Sequence, residues 1–503
     1  MRNDMAKKFH SVVSKASSRA GGGLHQNANA PVLLPPEPHP IVIQPGPSKR
    51  PLDIGSDLEV ARRLRADLTA RFGQLVNAEG AMWCHNGTHW DALPDHVLHQ
   101  AVHAYDGLQY VTPAGSAACI KLNRSKIDSI LHVCTGLFTE KAFFERPAVG
   151  INCASGFIRF GNGGVPVIEP HHPDHRARHT LPGHWQKDGP GTPPPDSLLF
   201  KLLTGVFEGD RDAGDKVDLL AEICGAAALG CGTKLTEPRA VILLGRTAEN
   251  GKSQILDLAR GLLPPTAICT VPAAKMADDR HAIGLLGKHL NATGELSAAS
   301  IASERFKTVV TGEPIQGRDV YKSRVEFRPV AQHLFATNEL PPFHGGMDRG
   351  VQRRLLVIPF NRVIPPDQRL EDIGQRIARD EADLLLAWAV DGASRLIRRH
   401  RFAVPASCRQ ALLDWIFSAD AVLAWIQECV TVEDGCSPVV TRAAYAEFRK
   451  WAAAEGFKQL PAINGFVQRV MAGARGVEHR RTGKAGRQFL NMRIANMHAS
   501  SSS

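Results

Sequence analysis

Val241-Ile-Leu-Leu-Gly-Arg-Thr-Ala-Glu-Asn-Gly-Lys-Ser-Gln-Ile-Leu256 is the stretch from which the rest of the chain is read. Val241 to Leu244 is a short apolar run that suits a buried parallel strand. After Ser253, apolar residues recur at Ile255, Leu256, Ala259, Leu262 and Leu263, one face of a helix that Gly261 and Pro264-Pro265 end. Between strand and helix lies Gly245-x-x-x-x-x-Gly251-Lys252-Ser253, one residue longer than the strict G-x-x-x-x-G-K-[ST] phosphate loop. Strand, glycine turn and helix start together aim backbone N–H groups and a helix dipole at an anion. In that arrangement Gly245 and Gly251 shape the loop, Lys252 reaches the β/γ-phosphates and Ser253 ligates Mg²⁺. The competing reading is a glycine-containing turn before an ordinary helix.

The composition is that of a water-exposed globular chain, with 43% hydrophobic and 22% charged residues. Its 503 residues suffice for about three domains. No apolar run reaches the roughly 20 residues of a membrane span, and no secretory signal is visible at the start. Ten scattered cysteines without a C-x-x-C pair read as reduced, mostly buried thiols, which argues against a zinc ribbon and for the cytoplasm. A net charge of +10 fits a polyanionic partner.

Residues 1–55 form a basic, Pro-rich arm that cannot pack a core. An N-terminal α+β domain is expected over 56–235. It opens on a helix capped by Ser56, followed by a hairpin around Asn86-Gly87 and a strand over Ile151 to Phe160. The loop carrying His171, His172, His175, His179 and His184 is broken by prolines and reads as polar surface rather than a zinc site. An ATPase core is expected over 236–405. There Glu295 stands near the end of a poor strand interrupted by His289, Asn291 and Thr293. Asn338 follows a better strand, and Arg353-Arg354 precedes the apolar run Leu355 to Phe360. At the C-terminal edge of an open α/β sheet such a Glu can hold Mg²⁺ through water or polarise the attacking water. Taken singly, each of these residues has an ordinary alternative: a surface carboxylate, a turn Asn, a salt-bridging Arg. Phe306 to Phe327 reads as a hairpin carrying Lys307, Arg318, Lys322 and Arg324 with Tyr321, suited to a phosphate backbone or simply to solvent. Over 406–503, three helical stretches precede a basic turn with Arg480, Arg481, Lys484 and Arg487 and a final strand, the pattern of a winged helix.

In this order the motifs resemble the helicase part of phage- and plasmid-type primase–helicases, related to the poxvirus primase–helicase, which are superfamily 3 helicases of the AAA+ class. The resemblance covers about residues 60 to 495. It runs through Gly245 to Ser253 with Asn250 before Gly251, Glu295-Leu296, Phe306-Lys307 to Tyr321-Lys322, Thr337-Asn338-Glu339-Leu340-Pro341, and Arg353-Arg354 before Leu355 to Phe360. The family's pair of acids is reduced here to Glu295 after Gly294. The resemblance implies an α/β fold: an AAA+ phosphate-loop core between the N-terminal α+β domain and the winged helix. It also implies a ring, a hexamer, with ATP and Mg²⁺ between subunits. Asn250 then joins the nucleotide ligands, and Lys252, Glu295, Asn338 and Arg354 are catalytic, with Arg354 as the finger reaching a neighbour's site. The partners it implies are single-stranded and forked DNA, a second copy of the chain and a separate primase, since the arm is too short to hold one. The expected activity is a replicative DNA helicase; an ATP-assembled replication initiator that does not unwind processively is the alternative.

Overall fold

In the computed structural model the described residues are 52–187, 191–296, 299–318, 324–344, 347–457, 460–481 and 486–495. The basic arm, Tyr321, Lys322 and Lys484 lie outside them. A five-stranded sheet organises the chain: β1 (Ala240–Leu244), β2 (Ile268–Cys269), β3 (Leu290–Thr293), β4 (Gln332–Thr337) and β5 (Leu355–Pro359). Every pairing is parallel, and the spatial order is β2-β3-β4-β1-β5. β1 is therefore flanked by β4 and β5, and β4 separates it from the strand that leads to Glu295.

Both faces of this sheet are covered, which is why β1, β4 and β5 read as near-continuous apolar runs. Val241, Leu243, Leu334, Ala336, Leu356 and Ile358 face one core, shared with the helix α1 (Lys252–Gly261). Ala240, Ile242, Phe335, Leu355 and Val357 face a second core with Phe306, Val309 and Trp415. The polar interruption of β3 has a specific use. Asn291, fully buried, accepts the Val271 N–H at 2.8 Å and donates to the Val271 carbonyl at 2.9 Å, so its amide extends the ladder past β2.

Two histidines sit inside this sheet region. Burial pushes His289, just before β3, and His333, in β4, down to about 4. Each folded-state value lies below the ordinary value of 6.5, so folding favours the neutral ring. The resulting stability is complete above pH 6.5 and is lost as pH falls toward 4. At pH 5 each group costs about 2 kcal/mol relative to neutral pH. Denaturant midpoints at pH 7 and 5 will show this loss, and His333→Gln will reduce the difference between them; an unchanged difference would rule His333 out as a source.

The packing units differ from the sequence boundaries. The first three-helix unit, Asp57–Phe72, Asp95–His103 and Arg124–Leu137, closes around Leu64, Leu68, Val102 and Ile130. The three strands Gly150–Cys153, Gly156–Phe160 and Pro166–Glu169 form a separate antiparallel sheet. Ile151 and Ile158 from that sheet, and the helices Leu198–Gly205 and Ala213–Leu229, join the core that backs β1. The residues expected as one strand from Ile151 to Phe160 are thus a hairpin, turned at Ala154 and Ser155. Likewise the helix Ala406–Ala419 packs on the sheet through Trp415, so the last packing unit begins near Asp420 rather than 406. The single helical pattern over 373–396 is two helices, α2 (Ile373–Asp380) and α3 (Ala382–Arg399). They break at Glu381, whose carboxylate accepts the Leu198 and Leu199 N–H groups at 2.7 and 2.9 Å and so caps another helix. Among the described residues no helix is long and apolar enough to cross a membrane.

Candidate functional site

The turn between β1 and α1 depends on two glycines for different reasons. Gly251 has φ of 83° and lies against Val206, which a Cβ would meet at 2.4 Å. At Gly245 a Cβ would lie 2.1 Å from the Asn250 amide and 2.7 Å from the Lys252 ammonium. The extra residue in the loop is taken up by this infolding. The Asn250 side chain, 3% exposed, donates to the Thr247 carbonyl, and Lys252 folds back over the start of the turn.

Lys252 Nζ donates to Gly245 O at 3.1 Å, Asn250 Oδ1 at 2.9 Å and Asn338 Oδ1 at 3.0 Å. All three acceptors are neutral, and among the described residues no carboxylate pairs with it. The side chain is buried, and burial lowers its pKa below the ordinary lysine value. A buried ammonium without a counter-charge is costly, and an anion is what relieves it.

Lys252 faces a cavity of about 630 Å³ at the C-terminal edge of the sheet. Asn250, Gly251, Lys252 and Ser253 line it, together with Gly294-Glu295 beyond β3 and Thr337-Asn338 at the end of β4. This is the edge at which parallel α/β sheets take ligands. Glu295 is exposed, two residues past β3, with β4 between it and the turn that follows β1. Ser253 is also exposed. No group of three or more His, Cys, Asp or Glu suited to a metal occurs among the described residues. Of the wall's carboxylates Glu208 and Glu249 are paired with arginines, and Ser253 with Glu295 would suit an Mg²⁺ that keeps waters and arrives with phosphates, not one held by a protein cage.

Three cations on the opposite wall were missed in the sequence: Lys201, Arg362 and Arg369. Arg362 pairs with Glu208 at 2.5 Å, and Arg369 pairs with Glu249 at 2.5 Å. Leu202, Val206, Ile364, Leu370 and Ile373 supply the apolar part. The signal was topological: Asn361 to Asp372 leaves β5 at the ligand-binding edge, and any loop there borders the cavity.

The arginine pair lies elsewhere. Arg354 precedes β5, and its carbonyl accepts the Ala240 N–H, so it stands at the N-terminal edge of the sheet. Five residues of strand separate it from the cavity rim, roughly 16 Å. Arg354 is 9% exposed and its guanidinium donates to the Gly350 carbonyl at 2.7 Å, whereas Arg353 is exposed.

The segment from Phe306 to Phe327, expected as a hairpin, is not one hairpin. Ser303–Val310 is a helix, and the hairpin is confined to Ile315–Gly317 and Val325–Phe327. Lys307 sits on the helix with its ammonium 2.6 Å from Glu304 and 3.0 Å from Asp348, so it is already neutralised within the chain. Arg318 is exposed where the hairpin leaves its first strand. In the last unit, helices Ala421–Cys429, Thr441–Ala454 and Ile463–Gly473 precede an antiparallel hairpin of Glu478–Arg481 with Arg487–Leu490. Arg480 pairs with Glu478 at 2.7 Å. Arg481 and Arg487 are exposed and directly opposite one another across the strands.

The histidine-rich loop is a correction. It was expected to be polar surface, but His175 and His179 are buried, at 7% and 8% exposure. His175 stacks on Phe157, with ring centroids 3.9 Å apart, and His179 Nε2 contacts the Gly287 carbonyl oxygen at 3.0 Å. The segment runs inward, and Leu181 and Trp185 at its end join the core that backs β1.

A family model described as a family of unknown function, DUF5906, matches residues 243–354, from within β1 to the arginine pair. No curated protein matches the chain. Among solved structures the chain is similar to the A-form apo structure of the NrS-1 C-terminal region, at 12% identity and a TM-score of 0.42, covering 85% of this chain and 98% of that one. A second apo structure of the same region gives 13% identity and a TM-score of 0.38, with the same coverage. Likeness at this level carries no argument about activity.

Proposed function

We propose that the chain is an ATP-driven DNA helicase of a replication system, acting as a ring of identical subunits on single-stranded and forked DNA. The observation that carries the reading is the buried, uncompensated Lys252 ammonium facing a cavity shared with Glu295 and Asn338. A nucleotide's phosphates supply the missing charge, with the start of α1 behind them. Mg²⁺, where bound, neutralises the phosphate oxygens from the side of Ser253 and Glu295. Lys252 then exchanges neutral oxygens for phosphate oxygens, which frees Asn338 to meet the terminal phosphate or the attacking water. Glu295, set back by the width of β4, has room to orient that water.

The Arg353-Arg354 pair does not reach this site from within the subunit. The exposed Arg353 is the group free to enter a neighbour's cavity, and the buried Arg354 holds the turn that presents it. The strand order and the cavity's position support an AAA+ core, and three helices followed by a basic hairpin support a winged helix. DNA contact rests on the opposed pair Arg481 and Arg487. Like charges directly across a ladder destabilise it, and a polyanion relieves them. Changing both to Ala will leave ATP turnover without DNA unchanged and lower the slope of log affinity against log salt by about 1 for each lost phosphate contact. An unchanged slope would remove the wing from the DNA interface.

The same pair favours a second reading, an initiator that uses ATP to assemble on DNA without unwinding it. Unwinding of a forked duplex with ATP tests the choice. ATP-dependent binding without strand separation leaves the initiator, and absence of nucleotide binding defeats both.

A further inference from the structure

Each arginine on the cavity wall is neutralised by a glutamate of the same chain, and one of those glutamates belongs to the phosphate loop itself. Glu249 has φ of 62°, a left-handed conformation that a non-glycine residue holds only when its surroundings demand it. Two contacts make the demand. The Ile364 N–H donates to the Glu249 carbonyl at 2.9 Å, and the Arg369 guanidinium meets the Glu249 carboxylate at 2.5 Å. Arg369 is kept in place from its other side by donating to the Ile364 carbonyl at 2.8 Å. The loop after β5 is thus clasped to the phosphate loop by one backbone bond and one ion pair. Both partners of the ion pair line or border the same cavity as Lys252, and both are partly open to solvent, at 34% and 53%.

We propose that Arg369 is a ligand for the phosphate tail of the nucleotide, and that Glu249 is a tethered anion occupying it until the phosphates arrive. This inference rests on the nucleotide reading of the cavity and adds two residues to it. An exposed ion pair is weak, whereas a polyphosphate brings several charges and a bidentate partner for the guanidinium, so the exchange runs toward the ligand. Freeing Arg369 costs its ion pair with the Glu249 carboxylate, and that cost reduces the affinity for the phosphates. The backbone bond from Ile364 to Glu249 does not involve the carboxylate, so the clasp persists through the exchange. The arrangement sets nucleotide affinity below what the cations alone would give and favours ligands with long phosphate tails.

Calorimetric titration of the full chain with Mg-ATP and with AMP tests this. Glu249→Gln removes the competing charge and keeps the side chain's size. It is expected to bind ATP roughly two- to five-fold more tightly and AMP no differently. Arg369→Ala is expected to weaken ATP binding, and Glu249→Gln added to it to give no further gain. Glu249→Gly removes both the charge and the left-handed strain; a gain equal to that of Gln supports the carboxylate as the cause. A gain seen only with Gly, a gain that survives in the Arg369→Ala background, or ATP affinity unchanged by Glu249→Gln overturns the proposal while leaving the nucleotide site standing. Failure of the parent chain to bind ATP at all overturns the nucleotide reading and this inference together.

Discussion

Lys252→Met is expected to fold like the parent chain and to lose ATP turnover by about two to three orders of magnitude, the loss typical of removing one preorganised donor from a developing charge. The fold should survive because the ammonium contributes little to it. Its three acceptors are neutral, its burial opposes the charge, and methionine fills nearly the same volume. Stability by denaturant should change by about 1 kcal/mol or less, since an uncompensated buried charge gives way to an apolar side chain. Both readouts are needed. Lost turnover with kept stability locates the defect in the site; turnover equal to the parent's would mean that the loop does not hold the nucleotide. A large loss of stability would mean that Lys252 is structural and that its bond to Asn338 joins β4 to the loop for that reason alone.

The second large effect concerns the arginine pair. Arg353→Ala should leave ATP binding intact and reduce hydrolysis by about three orders of magnitude, as removal of an arginine finger does. The exposed guanidinium stands at the opposite edge of the sheet from its own cavity, so its effect must be exerted on another subunit. Mixing Arg353→Ala chains with Lys252→Met chains then restores turnover. At equal proportions about a quarter of the interfaces pair an intact loop with an intact arginine. No recovery on mixing would place the arginine's effect within its own subunit. Arg354→Ala is expected to differ in kind. Its guanidinium is buried and bonded to the Gly350 carbonyl, so its loss should lower stability along with activity. If instead Arg354→Ala retains stability and complements Lys252→Met while Arg353→Ala is active, the finger is Arg354, as the family resemblance implies.

The elements that carry the candidate site were legible in the chain because they are local. Val241 to Leu244 reads as a buried strand, Gly251-Lys252-Ser253 opens a helix, and Asn338 follows the strand that ends at Thr337. The poor strand before Glu295 was harder, because propensity counts Asn291 against it. Its amide bonds to Val271 reverse that count, and such partners are distant in sequence. The histidine loop misled for the opposite reason: polar residues broken by prolines look solvated until a stacked Phe157 and the Gly287 carbonyl are found beside them.

The sequence by itself determined the strand, glycine turn and helix around Gly251-Lys252-Ser253, the order of the motifs along the chain and the basic hairpin near the C-terminus, because each depends on residues close together whose backbone preferences and periodicity are strong. Only the tertiary structure decided that Glu295 and Asn338 share a cavity with Lys252, that Arg362 and Arg369 close its other wall, and that Arg354 is buried while Arg353 is not. Those facts depend on strand order and on which helix covers which face. Both are set by burial summed over residues far apart in the chain, a sum that no single stretch of sequence displays.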